Sequence, residues 1–596
     1  MHYVAPLKDM LFNIRHLAGI DQIAAMPGLQ DATFDTAQAV LEEAAKFCEG
    51  VLAPLNWEGD QNPSRFTQGV VTAAPGFKAA YQQYIEAGWQ GLQHPADFGG
   101  QGLPKTIGAG VGEMLNSANM SFALCPLLTD GAIEALLTAG SDELKTVYLE
   151  KLISGQWSGT MNLTEPQAGS DLAAVRSRAE PQADGRYKVF GTKIYITWGE
   201  HDLADNIVHL VLARVSGAPE GVKGISLFVV PKFLVNEDGS LGARNDVHCV
   251  SIEHKLGIKA SPTAVLQYGD HGGAIGYLVG EENRGLQYMF IMMNAARYAV
   301  GIQGVAVAQM AYQKAVDYAR ERVQGRPVDG SMSTAAAIIH HPDVRRMLMT
   351  IRAHTEACRA LAFVAASAYD AAHHHPQAQV RQENQAFYEF MVPLVKGYST
   401  EMSLEATSLA VQVHGGMGFI EETGVAQLYR DAKILTIYEG TTAIQANDLV
   451  GRKTVRDGGQ TAKALAAQVQ VTQDQLLASG SADAVALAGR LAAARQAFVD
   501  VVDFVVAQTA IAPNAVFAGS VAYLMLSGQL MAGWQMGRAL LAAQVAVGRG
   551  EDVAFMQAKI ATARFYGDHV LSRAVAWRAT IVDGADSVMA LPQEAF

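Results

Sequence analysis

Tyr187-Lys188-Val189-Phe190-Gly191-Thr192-Lys193-Ile194-Tyr195-Ile196-Thr197 reads as a β-strand. It is rich in β-branched and aromatic residues, and it is bounded by Asp184-Gly185 and Trp198-Gly199. Ile207–Val215, Ile225–Val230 and Ala264–Tyr268 repeat the pattern, with Glu237-Asp238-Gly239 as a further turn signal. Residues 159–280 are therefore expected to form a β domain. The sequence on either side has a different period. Asp35 and Gln38 have capping-box spacing, and Val40, Leu41, Ala44, Phe47 and Val51 form an apolar stripe. This opens a helical segment over 36–158. Helical periodicity returns at Leu286 and runs without proline to Arg326, where Gly325 and Pro327 end it. The order is an N-terminal strip (1–35), a helical domain (36–158), a β domain (159–280), a helical domain (281–452) and an Ala-, Leu- and Val-rich helical tail (453–596). The fold class is mainly α with an inserted β domain.

The chain has 596 residues, half of them hydrophobic and 17% charged, which excludes a disordered protein and supports large buried cores. A net charge of −13 gives no electrostatic pull toward nucleic acid or an anionic membrane. Cys48, Cys125, Cys249 and Cys358 lie too far apart for a disulfide framework or a zinc cluster, which suits a reducing compartment. The start of the chain lacks a basic-then-apolar leader, and Gln593-Glu594-Ala595-Phe596 carries no targeting signal. No charge falls between Asp503 and Arg538, but Pro513, Asn514, Ser520, Ser527, Gln529 and Gln535 are spread through that stretch. Lipid would leave that polar load unsatisfied, so helices buried in protein are expected. The resulting expectation is a cytoplasmic protein.

Several strings carry chemistry. Leu163-Thr164-Glu165-Pro166-Gln167-Ala168-Gly169-Ser170-Asp171 offers hydroxyls beside a glycine turn, which suits an anionic or carbonyl-rich ligand. Alone it suits an ordinary polar loop better. Strand alternation puts Tyr195 and Thr197 on one face, able to wall a flat ring. Arg297 and Arg322 are 25 residues apart in one helical pattern. That is close to seven turns and roughly 37 Å, so they share a side but not one compact ligand. Asn294, three residues before Arg297, is expected on its face. Gln412-Val413-His414-Gly415-Gly416-Met417-Gly418-Phe419 follows an apolar helix with a glycine turn. The pairs and runs at His340-His341 and His373-His374-His375 lack a ligand set, so no metal is expected. In Ile437-Tyr438-Glu439-Gly440-Thr441-Thr442-Ala443-Ile444-Gln445, the Thr442/Gln445 spacing predicts a helix start. Glu439 suits either the dipole of that helix or a base in a glycine-hinged turn, whose own amide also donates.

Together these strings resemble the acyl-CoA dehydrogenase family of FAD enzymes, over about residues 36–452 and in the family's order. The N-terminal strip, His341-Pro342-Asp343-Val344-Arg345-Arg346 and the long tail are similar to the family's larger subgroup. The resemblance implies an α domain, a β-barrel domain and a four-helix-bundle domain, with an added C-terminal helical domain. It implies that Glu439 removes the α-proton of an acyl-CoA thioester while the β-hydrogen leaves as hydride to the flavin, giving a trans-2-enoyl-CoA. Leu163, Thr164, Ser170, Tyr195, Thr197, Arg322, Gln412, Gly416 and Thr441 then correspond to FAD contacts. Ser170, Asn294, Arg297 and Gly440 correspond to substrate contacts. Ala296 stands where some members place the base, which leaves Glu439. Asn294, Tyr195 and Gly325 depart from the common Asp, Trp and Phe. Implied partners are an electron-transferring flavoprotein and a second copy in a homodimer, the tail taking the place of a second dimer's packing. An acyl-CoA oxidase is the alternative enzyme. A DNA-binding flavoprotein of the same fold is disfavoured because the tail carries eleven basic and eleven acidic residues.

Overall fold

The computed structural model describes residues 2–596, so Met1 of the N-terminal strip lies outside the described residues. By backbone contacts the chain forms two compact units that interleave along the sequence. One takes most of residues 45–103 and 118–299, and the other takes 4–44, 104–117 and 300–596.

The first unit holds the β domain. Its sheet has eight strands, with Val247–Ile252, Thr263–Tyr268, Tyr187–Thr197, Ala274–Val279, Ser226–Pro231, Asn206–Val215 and Trp157–Asn162 side by side. Arg178–Pro181 pairs with both Tyr187–Thr197 and Asn206–Val215, which closes the middle of the sheet into a barrel. Asn206–Val215 is buried along nearly its whole length because its two faces serve different cores. Val208, Leu210 and Leu212 face helical residues such as Ile133, Leu149 and Met292, whereas Val211, Ala213 and Val215 face Val189, Phe228 and Leu266 inside the barrel. The expected runs match observed strands to within a residue. Strands at Trp157–Asn162, Arg178–Pro181, Val247–Ile252 and Ala274–Val279 are additional.

The helical expectation for 36–158 needs two corrections. A hairpin, Arg65–Thr67 with Val70–Thr72, interrupts it, turning at Gln68 and Gly69, both at positive φ. The helix Phe34–Phe47 is capped by Thr33, whose hydroxyl accepts from the Thr36 amide at 3.2 Å, so the Asp35/Gln38 pair is not its capping box. The first hydroxyl in the right backbone position takes the cap.

The second unit is helical. Pro342–His374 and Ala378–His414 are joined by a three-residue link around Pro376. Helix Gly285–Glu321 is the long proline-free segment, and it stops before Arg326 because Val323 turns out to bridge Ala337. From Val300 on, this helix lies close to Ala378–His414. A Cβ on Gly301 would stand 2.5 Å from the Val395 carbonyl, and one on Gly304 would stand 2.8 Å from that of Ser399. The tail supplies Gln460–Ser479, Ala482–Gln508, Ser520–Gly548 and Val553–His569. The uncharged stretch from 503 to 538 is divided among the end of Ala482–Gln508, the short Pro513–Ala518 and the buried Ser520–Gly548. Arg359 joins the ends of the chain to this bundle. It donates to Glu113, to Asp9 at 2.6 Å and to Gln309 at 2.7 Å, and Lys559 of the tail also donates to Asp9 at 2.6 Å. Burial alone would raise the Asp9 carboxyl, but Lys559 and Arg359 outweigh it and hold it at about 2. Among the described residues, Lys105–Ala139 and Gly285–Glu321 are long and apolar enough to cross a membrane, and the apolar windows of both are mostly buried in protein.

Candidate active site

The residues singled out by sequence divide between the two units. Leu163, Thr164, Ser170, Tyr195, Thr197, Asn294 and Arg297 belong to the first. Arg322, Gln412, Gly416, Glu439, Gly440 and Thr441 belong to the second.

In the first unit a buried ion pair shapes the loop that follows Trp157–Asn162. Lys193 Nζ donates to Glu165 Oε1 at 2.8 Å and to the Leu163 carbonyl at 3.0 Å. Glu165 also accepts from the amides of Arg176 (2.8 Å) and Ser177 (3.0 Å) and from Gln167 Nε2 (2.6 Å). Burial would raise this carboxyl, but Lys193 and the amide donors hold it at about 2. Burial pulls the Lys193 ammonium down to about 8 against the pull of Glu165, so both remain charged at neutral pH. The pair fixes Leu163 and Thr164 against the strand, where the Ile194 amide donates to the Thr164 carbonyl at 2.9 Å. At this point the strand bulges. Lys193 pairs with Leu266 and Ile196 with Ala264, so the partner strand has one residue fewer. Tyr195 at the bulge takes φ +61° and leaves its ring 60% exposed, while Ile196 is buried and Thr197 half-buried. Ser170 is exposed at the end of the loop. Sequence reasoning missed Lys193 as the organiser. The sequence signalled it weakly, because Lys188 stands on the same strand and only Lys193 faces inward.

Arg297 and Asn294 both lie on helix Gly285–Glu321, but the expected shared face is not seen. Arg297 is only 5% exposed, whereas Asn294 is exposed. A step of three residues rotates about 300°, which here crosses the edge of the buried face.

In the second unit, Arg322 lies one residue beyond that helix, its amide still bonded to the Tyr318 carbonyl at 2.9 Å, and its side chain is exposed. Gln412 is exposed on the last turn of Ala378–His414. Gly415 follows at φ +60°, and Gly416 is open enough that a Cβ would meet nothing within 4 Å. Met417, Phe419 and Ile420 are exposed beside it. His414 is structural, with Nδ1 bonded to the Ala410 carbonyl and its ring stacked on Tyr318.

Glu439 sits in an irregular link between Ile434–Thr436 and the helix Thr442–Asp448. Glu439 and Gly440 are consecutive left-handed residues, at φ +54° and +86°. Such a conformation costs a non-glycine residue of order 1–3 kcal/mol and persists only where neighbours over-determine it. Here they do. Lys396 Nζ donates to the Gly440 carbonyl at 2.7 Å, and Gln445 Nε2 donates to the carbonyls of Glu439 and Gly440, both at 3.2 Å. Tyr438 OH donates to Gln303 Oε1, and Gln303 Nε2 donates to Asn116 Oδ1 at 3.0 Å. The helix cap is Thr441, whose hydroxyl accepts from the Ile444 amide at 3.3 Å, so the cap lies one residue earlier than predicted and the Thr442/Gln445 box does not form. Thr442 instead donates to Glu401 at 2.5 Å, and Gln445 turns back to the Glu439 turn. Lys396, Gln445 and Gln303 were not found from sequence, although Lys396 is the single charge after the apolar run Phe390–Val395.

Elsewhere in the β domain, Asp246, His248 and His271 come close enough to be compared with a metal site. Asp246 Oδ2 accepts from the amides of His271 and Gly273, and Oδ1 lies 3.1 Å from His271 Nδ1. The group closes a turn.

Comparison with known proteins matches four stretches. Residues 35–156 match the family described as "Acyl-CoA dehydrogenase, N-terminal domain", 160–270 its "middle domain" and 283–453 its "C-terminal domain". Residues 461–592 match "Acetyl-CoA dehydrogenase C-terminal like". The chain is 56% identical over 589 residues to 3-methylmercaptopropionyl-CoA dehydrogenase of Ruegeria pomeroyi, covering 99% of each. It is 36% identical to the broad-specificity linear acyl-CoA dehydrogenase FadE5 of Mycobacterium tuberculosis, covering all of both chains. Its fold is similar to that of an acyl-CoA dehydrogenase from Bacillus anthracis solved with FAD, at a TM-score of 0.75, 21% identity, and 97% and 92% coverage.

Proposed function

The chain belongs to the acyl-CoA dehydrogenase family, and from that premise we propose that it oxidises a short thioether acyl-CoA such as 3-methylmercaptopropionyl-CoA, with Glu439 as the base. It is an FAD-dependent oxidoreductase acting on acyl-CoA. The residues present suit a flavin. An exposed Tyr195 ring beside the Thr164 loop offers a wall and hydrogen-bonding groups for a flat polar ring. The open Gly415-Gly416 turn and exposed Arg322 suit phosphates. When bound, FAD supplies the two-electron acceptor for the β-hydrogen. The other steps belong to the chain. The Glu439 carboxylate takes the α-proton, and its amide N–H donates to the thioester carbonyl, where negative charge develops. The acyl chain excludes water around the carboxylate, which raises its basicity toward a C–H acid. Arg297 and Ser170 bind the CoA portion. The C–H bonds at Cα and Cβ are exchanged for a trans-2 double bond.

Identity of 56% across 99% of both chains carries the substrate choice. We extend the proposal to an electron-transferring flavoprotein as acceptor and to a homodimer. Exposed Met417, Phe419 and Ile420 beside the glycine turn support a second copy there. Four buried free cysteines support a cytoplasmic location. The test is anaerobic titration of the holoenzyme with 3-methylmercaptopropionyl-CoA, butyryl-CoA and longer acyl-CoAs, following flavin bleaching. Fastest bleaching by the thioether substrate is expected, and preference for a long chain would overturn it. Light scattering that gives a tetramer removes the homodimer.

A further inference from the structure

The Glu439 turn is braced from one helix. Lys396 and Glu401 both lie on Ala378–His414, about one and a half turns apart. Lys396 donates to the Gly440 carbonyl at 2.7 Å, and Glu401 accepts from Thr442 at 2.5 Å, so the helix grips both sides of the Thr441 cap. Gly397 bears on the same assembly, since a Cβ there would stand 3.4 Å from Gln445 Cβ and 2.9 Å from Leu524. The side chain of Lys396 is fully buried. Keeping an ammonium out of water is costly. A charge-assisted bond to a main-chain carbonyl is roughly twice as strong as a neutral one, and here it falls on the residue after the left-handed Glu439. Gln445 holds the same carbonyl and the one before it. Two donors on adjacent carbonyls fix the peptide planes on either side of Gly440, and the first of these planes carries the Glu439 Cα from which the side chain projects.

We propose that Lys396 is the positioning residue for Glu439, acting through the Gly440 carbonyl; this rests on the assignment of Glu439 as the base. A base displaced by about 1 Å loses on the order of a hundredfold in rate. The loss is expected mainly in the chemical step, because the bond from Lys396 falls on the turn that aims the base, at Gly440, and not at Arg297 or Ser170, which bind the CoA portion.

The experiment uses FAD-loaded Lys396→Met, Lys396→Arg, Glu439→Gln and the Lys396→Met/Glu439→Gln double variant, with butyryl-CoA and 3-methylmercaptopropionyl-CoA in anaerobic stopped flow. Lys396→Met is expected to slow bleaching at saturation by about 10²-fold, with the half-saturating concentration changed less than about threefold, and Lys396→Arg is expected to recover part of the rate. In the Glu439→Gln background the Lys396→Met change is expected to add no further loss. Bleaching by Lys396→Met at close to the wild-type rate, or an equal slowing in the Glu439→Gln background, overturns the proposal. If Lys396→Met fails to retain FAD, Lys396→Gln keeps a donor and carries the test. Slowing by about tenfold with the same split supports the proposal, and a wild-type rate overturns it. A Glu439→Gln enzyme that bleaches like wild type removes the assignment of the base, and with it this proposal. Failure at Lys396 alone leaves Glu439→Gln slow.

Discussion

Glu165 and Glu439 both sit in short irregular segments beside a lysine, yet the lysines grip them differently. Lys193 bonds the carboxylate of Glu165 itself, and the amides of Arg176 and Ser177 take up further acceptor sites. Lys396 bonds the main chain next to Glu439, at the Gly440 carbonyl. The first arrangement uses up the carboxylate to hold a loop, and its depressed pKa makes it a poor base. The second holds the strained turn, at φ +54° and +86°, that carries the proposed base. Proximity of lysine and glutamate in a family string therefore says little about role. Which atom the lysine grips decides it.

That contrast is broken or sharpened first by removing each carboxylate's chemistry. Glu439→Gln keeps the shape of the turn and is expected to slow flavin bleaching by about 10³- to 10⁴-fold, with FAD content and thermal stability near wild type. Stopped-flow reduction checks it, and a rate within tenfold of wild type would falsify the assignment. Lys193→Met should act in the opposite way. It leaves Glu165 buried without its cation, which costs about 3–5 kcal/mol of stability, read by urea denaturation and FAD release. The rate per bound flavin should fall far less than for Glu439→Gln. Replacing both partners, as Glu165→Leu with Lys193→Met, should cost less than the single lysine change, because no uncompensated charge remains.

Sequence pattern reached the architecture because the period of hydrophobicity changes at the domain joints. The strand Asn206–Val215 was legible as an apolar run, but its two-sided burial was not, since His209 and Arg214 interrupt the run. Caps at Thr33 and Thr441 were misplaced by one or two residues, because several neighbouring residues carry hydroxyls or carboxylates and only backbone geometry chooses among them. Candidate site positions were legible as strings of polar residues with glycine. Their supports were not: Lys193 reaches Glu165 across 28 residues and Lys396 reaches Gly440 across 44, and no local spacing rule spans such distances. The opposite surroundings of Asn294 and Arg297 also escaped, since helical spacing gives an angle and not the position of the buried edge.

A smaller effect follows from pH. The Glu165 carboxyl lies near 2 in the folded chain, below its ordinary 4.5, so folding is helped by its ionised form. That contribution is fully present above about pH 4.5 and is lost as pH falls toward 2, on the order of 3 kcal/mol. Denaturation midpoints of wild type and Glu165→Gln, compared between pH 6 and 3, should converge on the acid side. Parallel curves would show that the carboxylate is not held by its charge.

The smallest effect isolates the turn from the base. Gly440 stands at φ +86°, where a side chain is strained, and a Cβ there would approach Gln445 Nε2 to 2.7 Å. Gln445 is the donor to the Glu439 and Gly440 carbonyls, so Gly440→Ala adds left-handed strain and pushes one of the two clamps aside. Gln445 is a flexible side chain and Lys396 remains in place, so the expected cost is only about 1 kcal/mol of stability. The rate should drop more than the stability suggests, by about tenfold, because a small rotation of the turn re-aims the carboxylate. No such excess is expected where a lysine grips the carboxylate directly. At Gly169 in the Glu165 loop, where a Cβ would meet nothing within 4 Å, Gly169→Ala should leave the rate within about twofold. Equal losses at the two glycines would mean that the Glu439 turn is not a backbone-aimed device, and the distinction between the two glutamates would fail.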